Sequence, residues 1–146
     1  MGSTGTVATV ASYQLVKAKD DYEANPQMTI RGIGFDPTLG GNAFTQRMFK
    51  HLAKIFLDQS KKDVNKHPKA ILKLYKEAER VKNVLSANVD HMAQVEGLID
   101  EIDFKTKVTR EQLETMSADL FQRIQNVVND ALKMSEVTAV NNLNFI

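Results

Sequence analysis

The spacing of apolar residues along this 146-residue chain changes period three times, from two to between three and four, back to two, and again to between three and four. A chain patterned this way cannot be all-helical or all-β. It must pair strands locally and pack helices against the pairs, which is an α+β architecture of antiparallel strand pairs with helices. The first period-two stretch, Thr6 to Val16 (TVATVASYQLV), is rich in β-branched residues and free of charge, and reads as a strand buried on at least one face. Asp20 to Pro26 supplies turn chemistry. Gln27 to Asp36 (QMTIRGIGFD) then resumes strand character, with Met28 and Ile30 on one face. Gly32 and Gly34 break the pleat and predict a bulge or a close backbone approach.

Asp36 to Gly41 is a second turn, and Asn42 is a suitable N-cap for a helix reaching about Ser60 with Phe44, Met48, Leu52, Ile55 and Phe56 inside. Pro68 opens a second helix to about Ser86, with Ile71, Leu74, Ala78, Val81 and Leu85 on one face and Lys69, Lys73, Lys76 and Arg80 on another. Val89 to Val108 alternates as a hairpin turning near Asp100 and Glu101. Thr109 and Gln112 form a capping-box pattern ahead of Leu113, Met116, Leu120, Ile124, Val127 and Ala131. The pattern leaves open whether this is one helix or two with a break near Phe121. The tail, Val137 to Ile146, ends on Phe145 and Ile146 with β tendency. Without repeats or linkers, residues 1–146 read as a single unit.

Composition narrows the function classes. There is no cysteine, so a disulfide framework, a thiolate metal site and a cysteine nucleophile are excluded. No apolar run approaches the roughly 18 residues that would span a bilayer, and no signal-peptide pattern opens the chain. The formal charge of +1 conceals segregation: Gln46 to Lys82 carries 11 basic and 4 acidic residues, whereas Asp90 to Asp130 carries 4 basic and 9 acidic ones. A basic helical pair could grip nucleic acid, but Phe49, Phe56 and Tyr75 fall at or near core-facing positions, and nucleic acid is not expected as a partner. Lysines solvating two helices, some paired with the acidic half, explain the pattern more simply.

Three short features could hold an anion or a nucleotide. Gly2-Ser3-Thr4-Gly5 leads into the first strand, as a small-residue loop that lets backbone N–H groups approach phosphate oxygens would; a frayed terminus or an expression tag has the same look. Gly40-Gly41 at a helix start suits an anion, or is a simple turn. Glu79, Lys82 and Ser86 share one stripe of the second helix, able to hydrogen-bond a ribose and an adenine edge, or serving as an ordinary boundary stripe. His51, His67 and His91 lack neighbours at metal-ligand spacing: the first and last read as boundary residues and His67 as a helix cap. No metal site and no catalytic residue is assigned.

These features occur in the order used by one family. Gly2-Ser3-Thr4 before TVATVASYQ, then IRGIGFDPTLGG, EAERVKNVLSAN and VTREQLETMSADLF, resembles the second lobe of the actin-like (ribonuclease H-like) ATPase domain of the heat-shock protein 70 (DnaK-like) family, over nearly the whole chain and in wording nearest its large endoplasmic-reticulum members. The resemblance implies that Gly2, Ser3, Thr4 and Gly5 are the second phosphate loop, that Gly40 and Gly41 turn beside the nucleotide, and that Glu79, Lys82 and Ser86 hold adenosine. Three positions depart from the family: the loop usually has three consecutive glycines, the arginine that packs on adenine is Asn83, and Val7 stands where most members carry aspartate. The first lobe, a magnesium-organising aspartate before Met1 and a glycine-rich segment after Ile146 are further expected parts. The chain is therefore expected to be a partial ATPase domain, inactive alone and binding no nucleotide tightly. The parent would use ATP or ADP with Mg2+, fold unfolded polypeptides through another domain, respond to stress in the endoplasmic reticulum lumen, and serve partner chaperones as an exchange factor. Its exposed helices would meet co-chaperones. A stand-alone interaction module without nucleotide chemistry is the competing expectation. With the rest of the domain missing, an exposed apolar face of the first strand and the Phe145–Ile146 end predict self-association.

Overall fold

The computed structural model describes residues 1–16 and 25–136. The loop expected from Asp20 and the tail strand at Phe145 and Ile146 lie outside the described residues, the former apart from Asn25 and Pro26. Two antiparallel strand pairs alternate with helices. Strands β1 (Thr6–Val16) and β2 (Asn25–Asp36) pair first; helices α1 (Gly41–Ser60) and α2 (Pro68–Leu85) follow, joined through a 3-10 turn at Val64–Lys66. Strands β3 (Asp90–Ile99) and β4 (Ile102–Thr109) form the second pair, and α3 (Arg110–Met116) and α4 (Ala118–Ser135) complete the order.

Both alternatives raised by Gly32 and Gly34 hold. Val10 faces Gly32 while Ala11 faces Ile30, so Arg31 is an extra residue bulged out of the ladder. The two glycines also meet α4 backbone to backbone. A Cβ on Gly34 would fall well inside 3.0 Å of the Val127 carbonyl, and one on Gly32 would do the same to the Ala131 carbonyl. Helix α4 thus covers one face of the sheet, where Thr6 is buried and Ala8, Val10 and Ser12 are half-buried. Strand β1 is covered on one face, within the expectation, and its other face, with Val7 and Tyr13, is exposed.

Two hydrophobic clusters result, and α1 contributes to both. Leu39, Phe44, Leu120 and Val127 close the space between the first sheet, the start of α1 and α4. The larger cluster gathers Met48, Leu52 and Phe56 of α1, Leu74, Ala78, Val81 and Leu85 of α2, and Phe104 and Val108 of β4. Phe56 and Phe104 meet edge to face with centroids 5.7 Å apart. The second hairpin turns at Asp100 and Glu101 with φ of 47° and 59°, the twist a two-residue turn needs to match its strands.

The start of α1 differs from expectation, and the start of α2 agrees with it. Gly40, not Asn42, is the N-cap of α1; Asn42 instead accepts a hydrogen bond from the Tyr75 hydroxyl and ties α2 to α1. His67 takes the cap position of α2 but contributes only its carbonyl, accepting from Ile71 N–H at 3.0 Å. His51 and His91 lie at half-buried boundaries as expected. The helix break falls at buried Ser117 rather than near Phe121. The Thr109 capping box is present on both sides, with Gln112 N–H to the Thr109 hydroxyl at 3.2 Å and Thr109 N–H to the Gln112 side chain at 3.0 Å. Thr109→Ala is expected to cost about 1 kcal/mol, read as a lowered urea midpoint with an unchanged slope. Some of the segregated charge pairs across the fold, Lys62 with Asp100 at 2.5 Å and Arg47 with Asp119. Phe49 and Phe56 are packed rather than presented.

Candidate functional site

The small-residue loop and the β2–α1 turn, 35 residues apart in sequence, are built into one another. Gly2 N–H donates to the Gly5 carbonyl at 2.8 Å, closing the loop. Gly41 N–H then donates to the Gly2 carbonyl at 2.9 Å and Asn42 N–H to that of Ser3 at 2.8 Å. Two donors at the start of α1 that could have met an anion are therefore spent on holding the loop. Gly40 makes the approach possible, since a Cβ there would collide with the Ser3 and Thr4 backbone. Behind the loop, the Thr6 hydroxyl donates to the Leu39 carbonyl at 2.5 Å.

From α2, Lys82 reaches the same place. Its Nζ donates to the Thr45 hydroxyl at 3.0 Å and to the Gly41 carbonyl at 3.4 Å. An ammonium has a third donor. It stands beside the positive end of α1, whose first turn has no acidic residue to offset it. Helix dipole and lysine together make this corner attractive to an anion.

A cleft of about 500 Å³ opens from that corner between α2, α3 and α4. Gly2, Gly41, Lys82 and Ser86 line it, together with Asn83. Glu79 shares the helical stripe of Lys82 but is exposed on α2, outside this lining. Ser3, Thr4, Gly5 and Gly40 form the supporting backbone rather than the wall. Ser86 closes the end of α2 by donating its hydroxyl to the Asn83 carbonyl at 2.6 Å.

Sequence reasoning missed the opposite wall. Arg110 of α3 donates from Nε to the Leu85 carbonyl at 2.9 Å, capping α2 with its guanidinium at the cleft. Phe44 and Phe121, edge to face at 5.3 Å, supply apolar surface. No local pattern marks these residues, because they reach the cleft only through tertiary packing. Below the turn, Arg123 of α4 donates to the Asp36 carboxylate at 2.6 and 3.0 Å and to the Thr38 hydroxyl at 2.5 Å. The Thr38 amide first, then Arg123, holds the Asp36 carboxyl below its usual range. Turn, loop and α4 are thereby locked as one piece.

This arrangement can hold an anionic group against backbone and ammonium and a flat apolar group between helices. Among the described residues no three His, Asp or Glu side chains gather to ligate a metal, and no helix is long and apolar enough to cross a membrane. The family model described as Hsp70 protein matches residues 24–146. The chain is 55% identical over 139 residues to hypoxia up-regulated protein 1 of Xenopus tropicalis, covering 94% of this chain and 22% of that protein. It is 54% identical over 138 residues to the protein of that name in Gallus gallus and 50% over 142 residues to that of Homo sapiens, each covering 94% of this chain and 14% of the relative. The chain thus spans about a seventh to a fifth of the length of these relatives.

Proposed function

Because the chain belongs to the heat-shock protein 70 family, we propose that residues 1–146 form the lobe II part of its actin-like ATPase domain and supply one wall of a nucleotide cleft. The observation that supports this reading is the convergence of Gly2, Gly41, Lys82 and Ser86 on one cleft. Lys82 would attract the phosphates, the Gly2–Gly5 loop would follow them with its backbone, and the α2 stripe with the Phe44–Phe121 wall would flank adenosine. Magnesium would come with ATP or ADP, its ligands lying on parts of the longer protein. Phosphoryl transfer depends on positioning and charge stabilisation from both sides of the cleft, so this wall alone binds weakly and turns nothing over.

In the longer protein, nucleotide state would set lobe closure and couple to polypeptide binding by another domain, giving a stress-responsive chaperone of the endoplasmic reticulum lumen. The exposed helical side, with Lys69, Lys73, Lys76 and Arg80 on α2, would meet co-chaperones and nucleotide-exchange partners. Titration calorimetry tests the reading. The 146-residue chain should show no saturable MgADP binding below about 1 mM. A protein carrying both lobes should bind, and Lys82→Ala should weaken it about tenfold or more. Unchanged affinity in Lys82→Ala would remove the lysine from the site. Tight binding with turnover by the short chain would overturn the partial-cleft reading.

A further inference from the structure

Helix α1 buries one nitrogen of an imidazole without giving it a partner. His51 Nε2 is sealed from solvent and, among the described residues, makes no hydrogen bond. It is closed off within this chain, so no further part of a longer protein can reach it while the packing around it stays in place. The ring also borders a pocket of about 360 Å³ between α1 and α3, walled by Glu111, Gln112, Thr115 and Met116. Met116 is apolar, the Gln112 side chain accepts from Thr109 N–H at 3.0 Å, and the Thr115 hydroxyl donates to the Glu111 carbonyl at 2.8 Å. The Glu111 carboxylate is the uncommitted acceptor of this wall among the described residues.

We propose that His51 and Glu111 form an acid-operated latch between α1 and α3: the neutral ring stays sealed at the seam, and the protonated ring turns into the pocket to pair with the Glu111 carboxylate. Both nitrogens of an imidazolium are donors, and a charged donor left buried without an acceptor is costly. The ring can therefore take its proton only by moving; the pocket gives the room and Glu111 the counter-charge. Charges on its own helix push it the same way. Lys54 stands one turn after it, and Arg47, one turn before, is already paired with Asp119 of α4. Glu114, the next acid of α3, lines the nucleotide-side cleft instead, and among the described residues no charged side chain of α2, β4 or α4 lines the pocket. Burial first, then Lys54, holds the imidazole below its usual 6.5. The seam's contribution to stability is thus complete above 6.5 and is lost as pH falls from there towards the lower folded value. Helix α3 also carries Arg110 to the cleft, so the latch acts on an element of the cleft wall.

An NMR titration of the 146-residue chain from about pH 8 to about pH 5 tests the latch, with the His51 ring signal assigned by its loss in His51→Gln. The midpoint should fall below 6.5, and a through-space contact between the ring and the Glu111 side chain should appear on the acid side alone. Glu111→Gln, at an exposed position, should lower the midpoint by about a further half unit, roughly threefold in proton affinity. Tm gives a second reading: acidification should lower it more steeply in Glu111→Gln than in the parent chain, and less steeply in His51→Gln. A midpoint at or above 6.5 would overturn the proposal. So would a midpoint indifferent to Glu111→Gln, a ring that takes its proton without approaching Glu111, or a chain that unfolds before the ring is charged.

Discussion

Gly34→Ala should destabilise the chain by about 3 kcal/mol or more and lower its Tm by roughly 10 °C, a large effect for the addition of one methyl group. The new Cβ would meet the carbonyl oxygen of Val127 and stand 3.0 Å from the Ala131 amide nitrogen, and both are helix backbone. A long side chain in that position could swing away; a helix cannot. Helix α4 would have to lift from β2, loosening the packing of Leu120 and Val127 on Leu39 and Phe44. The Arg123 bonds to Asp36 and Thr38 would stretch with it, so the damage would reach the candidate cleft. Gly97→Ala provides the contrast, because Gly97 has open space around its Cα and only a φ of 50° to defend. It should cost about 1 kcal/mol, the strain of a left-handed residue without a collision. Urea unfolding followed by circular dichroism reads both. Equal costs for the two variants would mean that α4 is not seated directly on the sheet.

The same glycines show how far local reading reaches. A strand pattern interrupted by Gly32 and Gly34 says that something approaches closely, and both a bulge and a close approach are found. It cannot say what approaches, because Val127 and Ala131 lie more than 90 residues downstream. Element bounds were legible where the signal was strong and local: charge-free β-branched residues for β1, proline for the start of α2, the Thr109–Gln112 pair for α3. Asn42 has the chemistry of a cap, but its side chain meets Tyr75, and a glycine that tolerates the loop at its back starts the helix instead. The break at Ser117 was invisible, since a buried serine inside an amphipathic run carries no breaking signal.

For the cleft, helical spacing placed Lys82 and Ser86 on a common stripe and the structure brings both to the cleft with Gly2 and Gly41. Spacing also placed Glu79 on that stripe, one turn too early to share the lining. Arg110 and Phe121 could not be read at all. Their role depends on α3 and α4 folding back over the end of α2, which no local periodicity encodes.

Glu77 is the clearest case of chemistry hidden by pattern, and its removal is the second large effect expected. It stands on the apolar face of α2 beside Leu74, Ala78 and Val81, buried where a carboxylate normally is not. Its two oxygens are fully used. One accepts from Arg80 Nη2 at 2.6 Å and from the Gln94 amide of β3 at 2.9 Å, and the other from Arg80 Nε at 2.8 Å. Lys73 completes the arrangement by donating to the Glu96 and Gly97 carbonyls at 3.3 and 2.9 Å, so α2 side chains satisfy the edge of β3 that β4 leaves unpaired. Glu77→Ala strands the Gln94 amide and should cost about 2–3 kcal/mol, whereas Glu77→Gln keeps an acceptor and should cost about half as much at pH 7. Burial alone would raise the carboxyl, but Arg80, the Gln94 amide and His91 outweigh it and hold Glu77 below its ordinary 4.5. A carboxyl lowered on folding stabilises fully above its unfolded pKa, and that contribution fades as pH falls through the folded value. The stability gap between the parent chain and Glu77→Gln should therefore be constant near neutrality and shrink towards zero in acid, once the parent also carries a neutral side chain. Urea midpoints measured at pH 7 and pH 3 decide it. A gap that persisted at pH 3 would show that shape, rather than the charged pair with Arg80, is what α2 and β3 require of this residue.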